Sequence, residues 1–344
     1  MNIRDAISKV VAGQNLNQAE AKAVMYEIMT GVATSIQVAS FLTALHLKGE
    51  TAEEIAGMAH VMWTEALHVP FKGRAIDTCG TGGDGAQTFN ISTVAALVVA
   101  GAGLTVAKHG NRSASSLCGS ADVLEGLGVK IELSPEEVAH CFQEAQIGFM
   151  FAPRFHPAMR FVGPVRREIG IRTVFNLLGP LTNPASACYQ LIGTPSIELA
   201  EKLAATLSWL GREHALVIHG HGGLDELSLS GINKVFEVRG HNKPVYSEFD
   251  PLDLGLQRAS IESLRGGNVA ENVATAQRIL TGEEQGPKRD VVLLNAAACL
   301  VAGDIAPDIA TGLVLARESL TKGRALDCLQ RLIKVSNTKI GRIN

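Results

Sequence analysis

Apolar residues recur at i, i+3 and i+4 from Ile3 to about Leu67, the spacing of amphipathic helices, and Asn17 and Ser35 stand where N-caps are expected. No strand pattern interrupts this stretch, and a Pro/Gly break at Val69-Pro70-Phe71-Lys72-Gly73 ends it. Beyond the break, β-like runs at Ala75–Thr78, Thr105–Lys108, Val129–Glu132, Ile147–Phe151, Tyr189–Gly193 and Ala215–His219 alternate with longer helical patterns. That alternation predicts βαβ units and a mostly parallel sheet. Leu229–Val238 reads as antiparallel strands, and helices return from Asn268 to Lys334. The expected fold class is α/β, with a small all-α N-terminal domain over residues 1–72 and a larger α/β domain over residues 73–344. Helices are expected around a mostly parallel central sheet, whose ligands would sit at the carboxyl ends of the strands.

Composition narrows the partners. The 344 residues suffice for two cores, and 31 Lys+Arg against 34 Asp+Glu leave a formal charge of −3. Such a balance lacks the basic excess of a chain whose main partner is nucleic acid or an anionic membrane. The longest apolar stretch, Val94–Leu104, is far short of a membrane span, and Met1-Asn2-Ile3-Arg4-Asp5 leads into no secretory segment, so a cytoplasmic chain is expected. Six scattered cysteines with no Cys-x-x-Cys pair read as reduced structural thiols. Glycine is unusually frequent, at 35 residues, and its place in loops suggests a backbone that must come close to a ligand.

Directly after the first strand lies Asp77-Thr78-Cys79-Gly80-Thr81-Gly82-Gly83-Asp84-Gly85, followed by Thr88 and then Asn90-Ile91-Ser92-Thr93. Gly80, Gly82 and Gly85 formally fit G-x-G-x-x-G, but the helix starts only after Asn90 and the second strand ends in Lys108, where a ribose-binding acid would stand. A P-loop fails too, because Ala86 and Gln87 follow Gly85. The remaining readings are a phosphate cradle of backbone amides and helix-start hydroxyls, or a plain capped turn. The second strand leads into Lys108-His109-Gly110-Asn111-Arg112-Ser113-Ala114-Ser115-Ser116 and then Gly119-Ser120-Ala121-Asp122, a second candidate anion loop. Two such loops at neighbouring strand ends suit a ligand with two separate phosphate groups.

An acidic pair, Asp225-Glu226, follows the strand ending at His219. Adjacent side chains in an extended segment diverge, so the pair would occupy a turn or address two ions. Mg²⁺, which takes few carboxylates and completes its shell with water and substrate phosphate, suits it better than an all-protein cage. Between Pro153 and Pro184 stand Arg154, Arg160, Arg166, Arg167 and Arg172, any of which could clamp a substrate carboxylate. His109, His156, His219 and His221 are too dispersed to read as a zinc set.

Taken in order, these motifs, with Arg172-Thr173-Val174-Phe175-Asn176-Leu177-Leu178-Gly179-Pro180-Leu181-Thr182-Asn183-Pro184 and Leu224-Asp225-Glu226, resemble the anthranilate phosphoribosyltransferase family over essentially the whole chain. The resemblance implies transfer of phosphoribosyl from 5-phosphoribosyl 1-pyrophosphate to the amine of anthranilate, in tryptophan biosynthesis. It also implies two Mg²⁺ ions, a homodimer formed through the helical domain, and helices from about residues 164–185 joining that domain. By resemblance, Gly80, Gly83, Asp84, Thr88, Asn90, Ile91, Ser92 and Thr93 form the pyrophosphate side of the donor site. Lys108, His109, Gly110, Asn111, Arg112, Ser113, Ala114, Ser115 and Ser116, with Ser120, wrap the phosphoribosyl group. Ser92 and Glu226 would hold one Mg²⁺, and Asp225 and Glu226 the other. Gly80, Asn111 and Arg166 form the implied anthranilate site, His109 and His156 lie nearby, and Lys108, Asn111 and Arg166 carry the catalytic roles.

Competing readings are a pyrimidine nucleoside phosphorylase, expected to be longer and to carry Lys-His-Ser where this chain has Lys108-His109-Gly110, a nucleic-acid-binding relative, disfavoured by the charge, and an NADP-linked oxidoreductase.

Overall fold

In this computed structural model, which describes residues 1–113 and 117–338, side-chain caps set the starts of the N-terminal helices. Asn2 caps α1 (Ile3–Val11), while Asn17 and Glu20 form a reciprocal capping box on α2 (Gln18–Met29). For α3 (Ser35–Lys48) the cap is Thr34 and Ser35 is the first helical residue. The residue three beyond Thr34 is Gln37, which returns a bond to the Thr34 amide, whereas Val38, three beyond Ser35, cannot. Thr51 and Glu54 cap α4 (Ala52–Thr64) in the same way.

The second part of the chain runs β1 (Ile76–Gly80), α5 (Ile91–Gly101), β2 (Val106–Gly110), α6 (Ser120–Gly126), α7 (Pro135–Ala145) and β3 (Ile147–Phe151). A helical excursion follows, comprising α8 (Ala152–Phe155), α9 (Gly163–Ile169) and α10 (Phe175–Leu181). The chain then returns through β4 (Tyr189–Gly193), α11 (Ile197–Trp209), β5 (His214–His219), β6 (Asn233–Val238) and β7 (Val245–Phe249). It finishes in α12 (Val269–Thr281), α13 (Pro287–Ala302), α14 (Ile309–Thr321) and α15 (Arg324–Ser336). The seven-stranded sheet has the order β3-β2-β1-β4-β5-β6-β7, parallel from β3 to β5, with β6 and β7 antiparallel. Strand order therefore reverses between β1 and β4, and the crevice at their carboxyl ends is where such sheets receive ligands.

Two apolar clusters hold these layers. One packs α5 and α13, buried along most of their length, against one sheet face. The other joins Met25, Phe41 and Met58 of the N-terminal helices to Val165, Phe175 and Leu178 of α9 and α10, and continues to Leu203 of α11 and Val217 of β5. The N-terminal helices thus share a core with the opposite sheet face. Among the described residues no helix is long and apolar enough to cross a membrane.

Three sequence expectations are corrected. Val129–Glu132 forms no strand: Val129, Ile131 and Leu133 are buried alternately, but the Lys130 amide is taken by Ser336 of α15 and no neighbouring strand pairs with it. The alternation there reflects burial against a helix. The Leu229–Val238 run is strand only from Asn233, because Ser228, Ser230 and Asn233 close a side-chain-bonded turn ahead of it. The first two strands reach beyond Thr78 and Lys108, to Gly80 and Gly110, pairing Gly80 with Gly193 and Gly110 with Phe151.

Candidate active site

The loop after β1 is built around left-handed backbone at Gly82, Gly83 and Gly85, a conformation that favours glycine. Its close contacts are equally restrictive. A Cβ on Gly80 would lie 2.1 Å from Asp225 Oδ2, and one on Gly83 would lie 1.6 Å from Arg172 Nη1. The Gly82 amide donates to Asp225 Oδ2 at 2.7 Å, while Arg172 donates to the Gly82 carbonyl at 3.2 Å. The loop is therefore pinned from two sides. Asn90 precedes α5 without capping it, since its side-chain amide donates instead to the Cys118 carbonyl at 3.0 Å. The plain capped turn is thereby removed as an account of this loop. Buried Asn90 Oδ1 and Thr93 Oγ1 have no hydrogen-bond partner among the described residues.

A polar cavity of about 480 Å³ opens above α5. It is lined by Gly80, Gly83, Asp84, Thr88, Asn90, Ile91, Ser92 and Thr93 from the first loop, and by Lys108, His109, Gly110, Asn111 and Ser120 from the second. Asp225 and Glu226 complete the wall. Cys79, Gly82, Gly85, Gln87, Phe89, Cys118 and Gly119 also line it. Lys108 is buried and donates to the Thr78 carbonyl at 2.6 Å and to Ser92 Oγ at 3.4 Å. An ammonium has three N–H donors, so one remains for a ligand.

Beneath Lys108, the fully buried Asp77 carboxylate accepts from the His109 amide at 3.1 Å and from Asn183 Nδ2 at 2.8 Å. Burial pushes the Asp77 pKa up, and the nearby Lys108 charge pulls it back. Asp225 and Glu226 are both raised above the usual carboxylate range, first by burial and then by like charge, from Asp84 on Asp225 and from Asp225 on Glu226. The Ser92 amide at the start of α5 donates to Glu226 and partly offsets this. Crowded, raised carboxylates beside a hydroxyl and unsatisfied oxygens fit a hard dication that draws its remaining ligands from substrate and water. No group of three or more His, Cys, Asp or Glu that could hold a metal ion by itself is found among the described residues.

A second cavity, about 690 Å³, shares Cys79, Gly80, His109, Gly110 and Asn111 with the first. Its walls are more apolar, with Met62 from α4, Met159, Pro157 and Phe175, and its cations are Arg112, Arg160, Arg166 and Arg167. Arg166, half-buried on α9, lies 5.5 Å from the centre of the Phe175 ring, and burial lowers its pKa. His109 and His156 stand with ring centres 5.0 Å apart. Burial pulls His109 down to about 4 and His156 to about 3, so both are neutral near pH 7. His109 Nδ1 meets the Gly179 carbonyl at 3.2 Å and must carry the proton, leaving Nε2 as an acceptor.

Some expected residues fall elsewhere. Arg112 turns its guanidinium to Asp122 and Glu125, each at 2.8 Å, and borders the second cavity instead of the first. The Ser113 amide donates to Asp122 Oδ2 at 3.3 Å, and Ser113 does not line the first cavity. Ala114, Ser115 and Ser116 lie outside the described residues. Sequence reasoning gave no role to Asp77 or Asn183, although both stand inside the motifs it singled out. Met62 carried no local signal, because it reaches the site from a helix of the N-terminal bundle.

Comparison with known proteins agrees with this geometry. Residues 4–66 match the "Glycosyl transferase family, helical bundle domain", and residues 72–326 match the "Glycosyl transferase family, a/b domain". The anthranilate phosphoribosyltransferase of Chloroflexus aggregans is 67% identical over 336 residues, covering 98% of this chain and 99% of that one. The crystal structure of the Thermus thermophilus enzyme of that name superimposes with a TM-score of 0.91 at 46% identity, covering 97% of this chain and 100% of the other. The Saccharomyces cerevisiae enzyme, solved in complex with PRPP and Mg, gives a TM-score of 0.88 at 28% identity over 97% of each chain. The same yeast enzyme has also been solved with 4-fluoroanthranilate.

Proposed function

This chain belongs to the anthranilate phosphoribosyltransferases of the glycosyl transferase family, and from that premise we propose how its residues divide the work. The enzyme transfers the phosphoribosyl group of 5-phosphoribosyl 1-pyrophosphate to the amine of anthranilate, releasing pyrophosphate and forming N-(5-phosphoribosyl)anthranilate for tryptophan biosynthesis. Mg²⁺ use is supported by the yeast complex, and two ions are part of the proposal.

The observation that carries the assignment is the wall common to the two cavities, Cys79, Gly80, His109, Gly110 and Asn111. Donor and acceptor must meet at one carbon, and this wall is where the polar cavity and the more apolar, arginine-bearing cavity touch. In the donor cavity, Gly80, Gly83, Asp84, Thr88 and Asn90–Thr93 cradle the pyrophosphate side. Lys108–Ser116 and Ser120 take the phosphoribosyl side, with Arg112 acting through its bonds to Asp122 and Glu125. Ser92 and Glu226 would hold one Mg²⁺, and Asp225 and Glu226 the second. Bound Mg²⁺ supplies positive charge to the departing pyrophosphate.

The anomeric C–O bond breaks ahead of C–N formation, and the leaving oxygens gain charge. Lys108 meets that charge from a fixed position, because its bonds to Thr78 and Ser92 already set its direction. The attacking aromatic amine is neutral at pH 7 and, once the new bond has formed, gives its proton to the released pyrophosphate or to water. Arg166 holds the anthranilate carboxylate, Asn111 and Gly80 hold its amine end in line, and neutral His109 and His156 shape the floor. The cytoplasm is proposed as its location.

Homodimer formation through the helical domain is supported by apolar side chains that the single chain leaves in water. Ile36 and Leu47 on α3 are each 80% exposed. Release of pyrophosphate from phosphoribosyl pyrophosphate and loss of free anthranilate, followed together, test the reaction. Stoichiometric, Mg²⁺-dependent coupling is expected, and donor binding without anthranilate consumption would move the acceptor elsewhere.

A further inference from the structure

The last twelve residues of α13, Val291 to Ala302, are apolar except for Asn295, which is fully buried. A carboxamide in such a helix is costly unless its polar atoms are bonded. Here all are bonded, and two of the three bonds go to one residue outside the helix. Asn295 Oδ1 accepts from the Leu227 amide at 2.9 Å, and Nδ2 donates to the Leu227 carbonyl at 3.0 Å as well as to the Val291 carbonyl at 2.9 Å. The side chain thus grips both peptide groups of Leu227, the residue immediately after Glu226. Among the described residues that segment belongs to no ladder: it lies between β5 and β6, and its one bridge there pairs Gly220 with Leu224. Asn295 supplies the pair of bonds that an adjacent strand would have given.

Register matters here more than in an ordinary turn. Asp225 and Glu226 are adjacent, Asp225 is fitted against Gly80 and the Gly82 amide, and Glu226 receives the Ser92 amide. A shift of the backbone by part of a residue would part both carboxylates from those partners. We infer that Asn295 is a positioning residue for the metal-binding pair, fixing the backbone from which Asp225 and Glu226 project. This inference rests on the assignment of those two carboxylates as Mg²⁺ ligands.

The test uses the full-length chain, phosphoribosyl pyrophosphate and Mn²⁺ as a paramagnetic substitute for Mg²⁺, with free Mn²⁺ read by electron paramagnetic resonance. Asn295→Ala is expected to weaken ternary Mn²⁺ binding by roughly 10- to 100-fold, the range seen for residues that orient metal ligands. The KM for anthranilate should stay within about twofold, since the acceptor cavity is untouched. Asn295→Asp, which keeps an acceptor for the Leu227 amide, should weaken Mn²⁺ binding less than the alanine. Ser319→Ala removes a different buried bond, 2.7 Å to the Val98 carbonyl, and serves as the comparison for general loosening of the core. It should lower Tm without changing Mn²⁺ binding.

Unaltered Mn²⁺ binding in folded Asn295→Ala overturns the inference, as does weakening in Asn295→Asp equal to that in the alanine variant. So does an equal weakening in Ser319→Ala, or failure of both Asn295 variants to fold, which would assign the amide to the core alone. The double change Asp225→Asn with Glu226→Gln separates the two layers of the argument. If it leaves Mn²⁺ binding intact, the ligand assignment falls first. If it abolishes binding while Asn295→Ala does not weaken it, only the positioning role falls.

Discussion

Truncating Arg166 to alanine should divide the two substrates energetically. The side chain lines only the acceptor cavity, sits half-buried beside Phe175, and makes no ion pair among the described residues. Its charge is therefore available to a carboxylate in a setting where water competes weakly. A hydrogen bond to a charged group contributes about 1.5–3 kcal/mol. At about 1.4 kcal/mol per tenfold, the loss corresponds to roughly a 12- to 140-fold rise in the KM for anthranilate. The carboxylate bears the same charge before and during transfer, so the contact is uniform binding and kcat should change little. Arg166→Lys should recover only part of the loss, since a point charge replaces a planar fork. The assay follows the decay of anthranilate fluorescence at saturating donor and Mg²⁺, then repeats the titration with donor varied. Equal rises in both KM values, or a fall in kcat alone, would refute the assignment of Arg166 to the acceptor.

Gly80→Ala places a methyl 2.1 Å from Asp225 Oδ2, an overpacking expected to cost about 1–3 kcal/mol in urea unfolding and to raise the Mg²⁺ requirement. Unchanged values on both counts would show that the carboxylate moves freely. His109 at about 4 and His156 at about 3 lie below the ordinary 6.5, so the unfolded chain binds those protons more tightly and stability falls as pH drops from about 6.5. Relative to pH 8, each ring should cost about 2 kcal/mol at pH 5. Lys108 near His109 and His68 near His156 act in the same direction, and His156→Asn should remove about half of this acid sensitivity in urea titrations at the two pH values. Equal sensitivity in the variant would contradict the burial argument. Ile36→Glu combined with Leu47→Glu should give a monomer by analytical ultracentrifugation, and a persisting dimer would place the interface elsewhere.

Much of the scaffold was legible because its signals are local. Asn17 announced a helix start, and the glycines and small polar residues of the first loop marked a ligand-facing turn before any strand order was known. Misreadings arose where two structures share one local pattern. Alternating burial in Val129–Leu133 is the same whether a strand or a helix covers it, and only the Ser336 bond decides. Gly80 and Gly110 looked like the first loop residues, yet pairing with β4 and β3 continues both strands through them. Arg112 was legible as a cation, but its choice of Asp122 and Glu125 over the cavity depends on where α6 lies. The acceptor cavity was the least legible part. Met62, His156 and Phe175 come from separate segments of the chain and meet only in the folded state.

The arrangement also explains why the acidic pair can sit so close to a phosphate-binding loop. Carboxylates beside a polyanion are repulsive unless positive charge lies between them, and the chain itself provides one buried ammonium there, Lys108, already engaged by Thr78 and Ser92. Beneath it Asp77, held by Asn183 and the His109 amide, lies near enough for the Lys108 charge to oppose the upward push of burial on its pKa. With Asp84, Asp225 and Glu226 lining it against Lys108, the cavity is short of positive charge in its unliganded form, and like charge adds to the burial that raises Asp225 and Glu226. A donor that arrives with its own dications removes the deficit, whereas a bare pyrophosphate would deepen it. On the proposed assignment charge balance favours a metal-bound donor, and Arg166, which makes no ion pair among the described residues, is left to the single carboxylate of the acceptor.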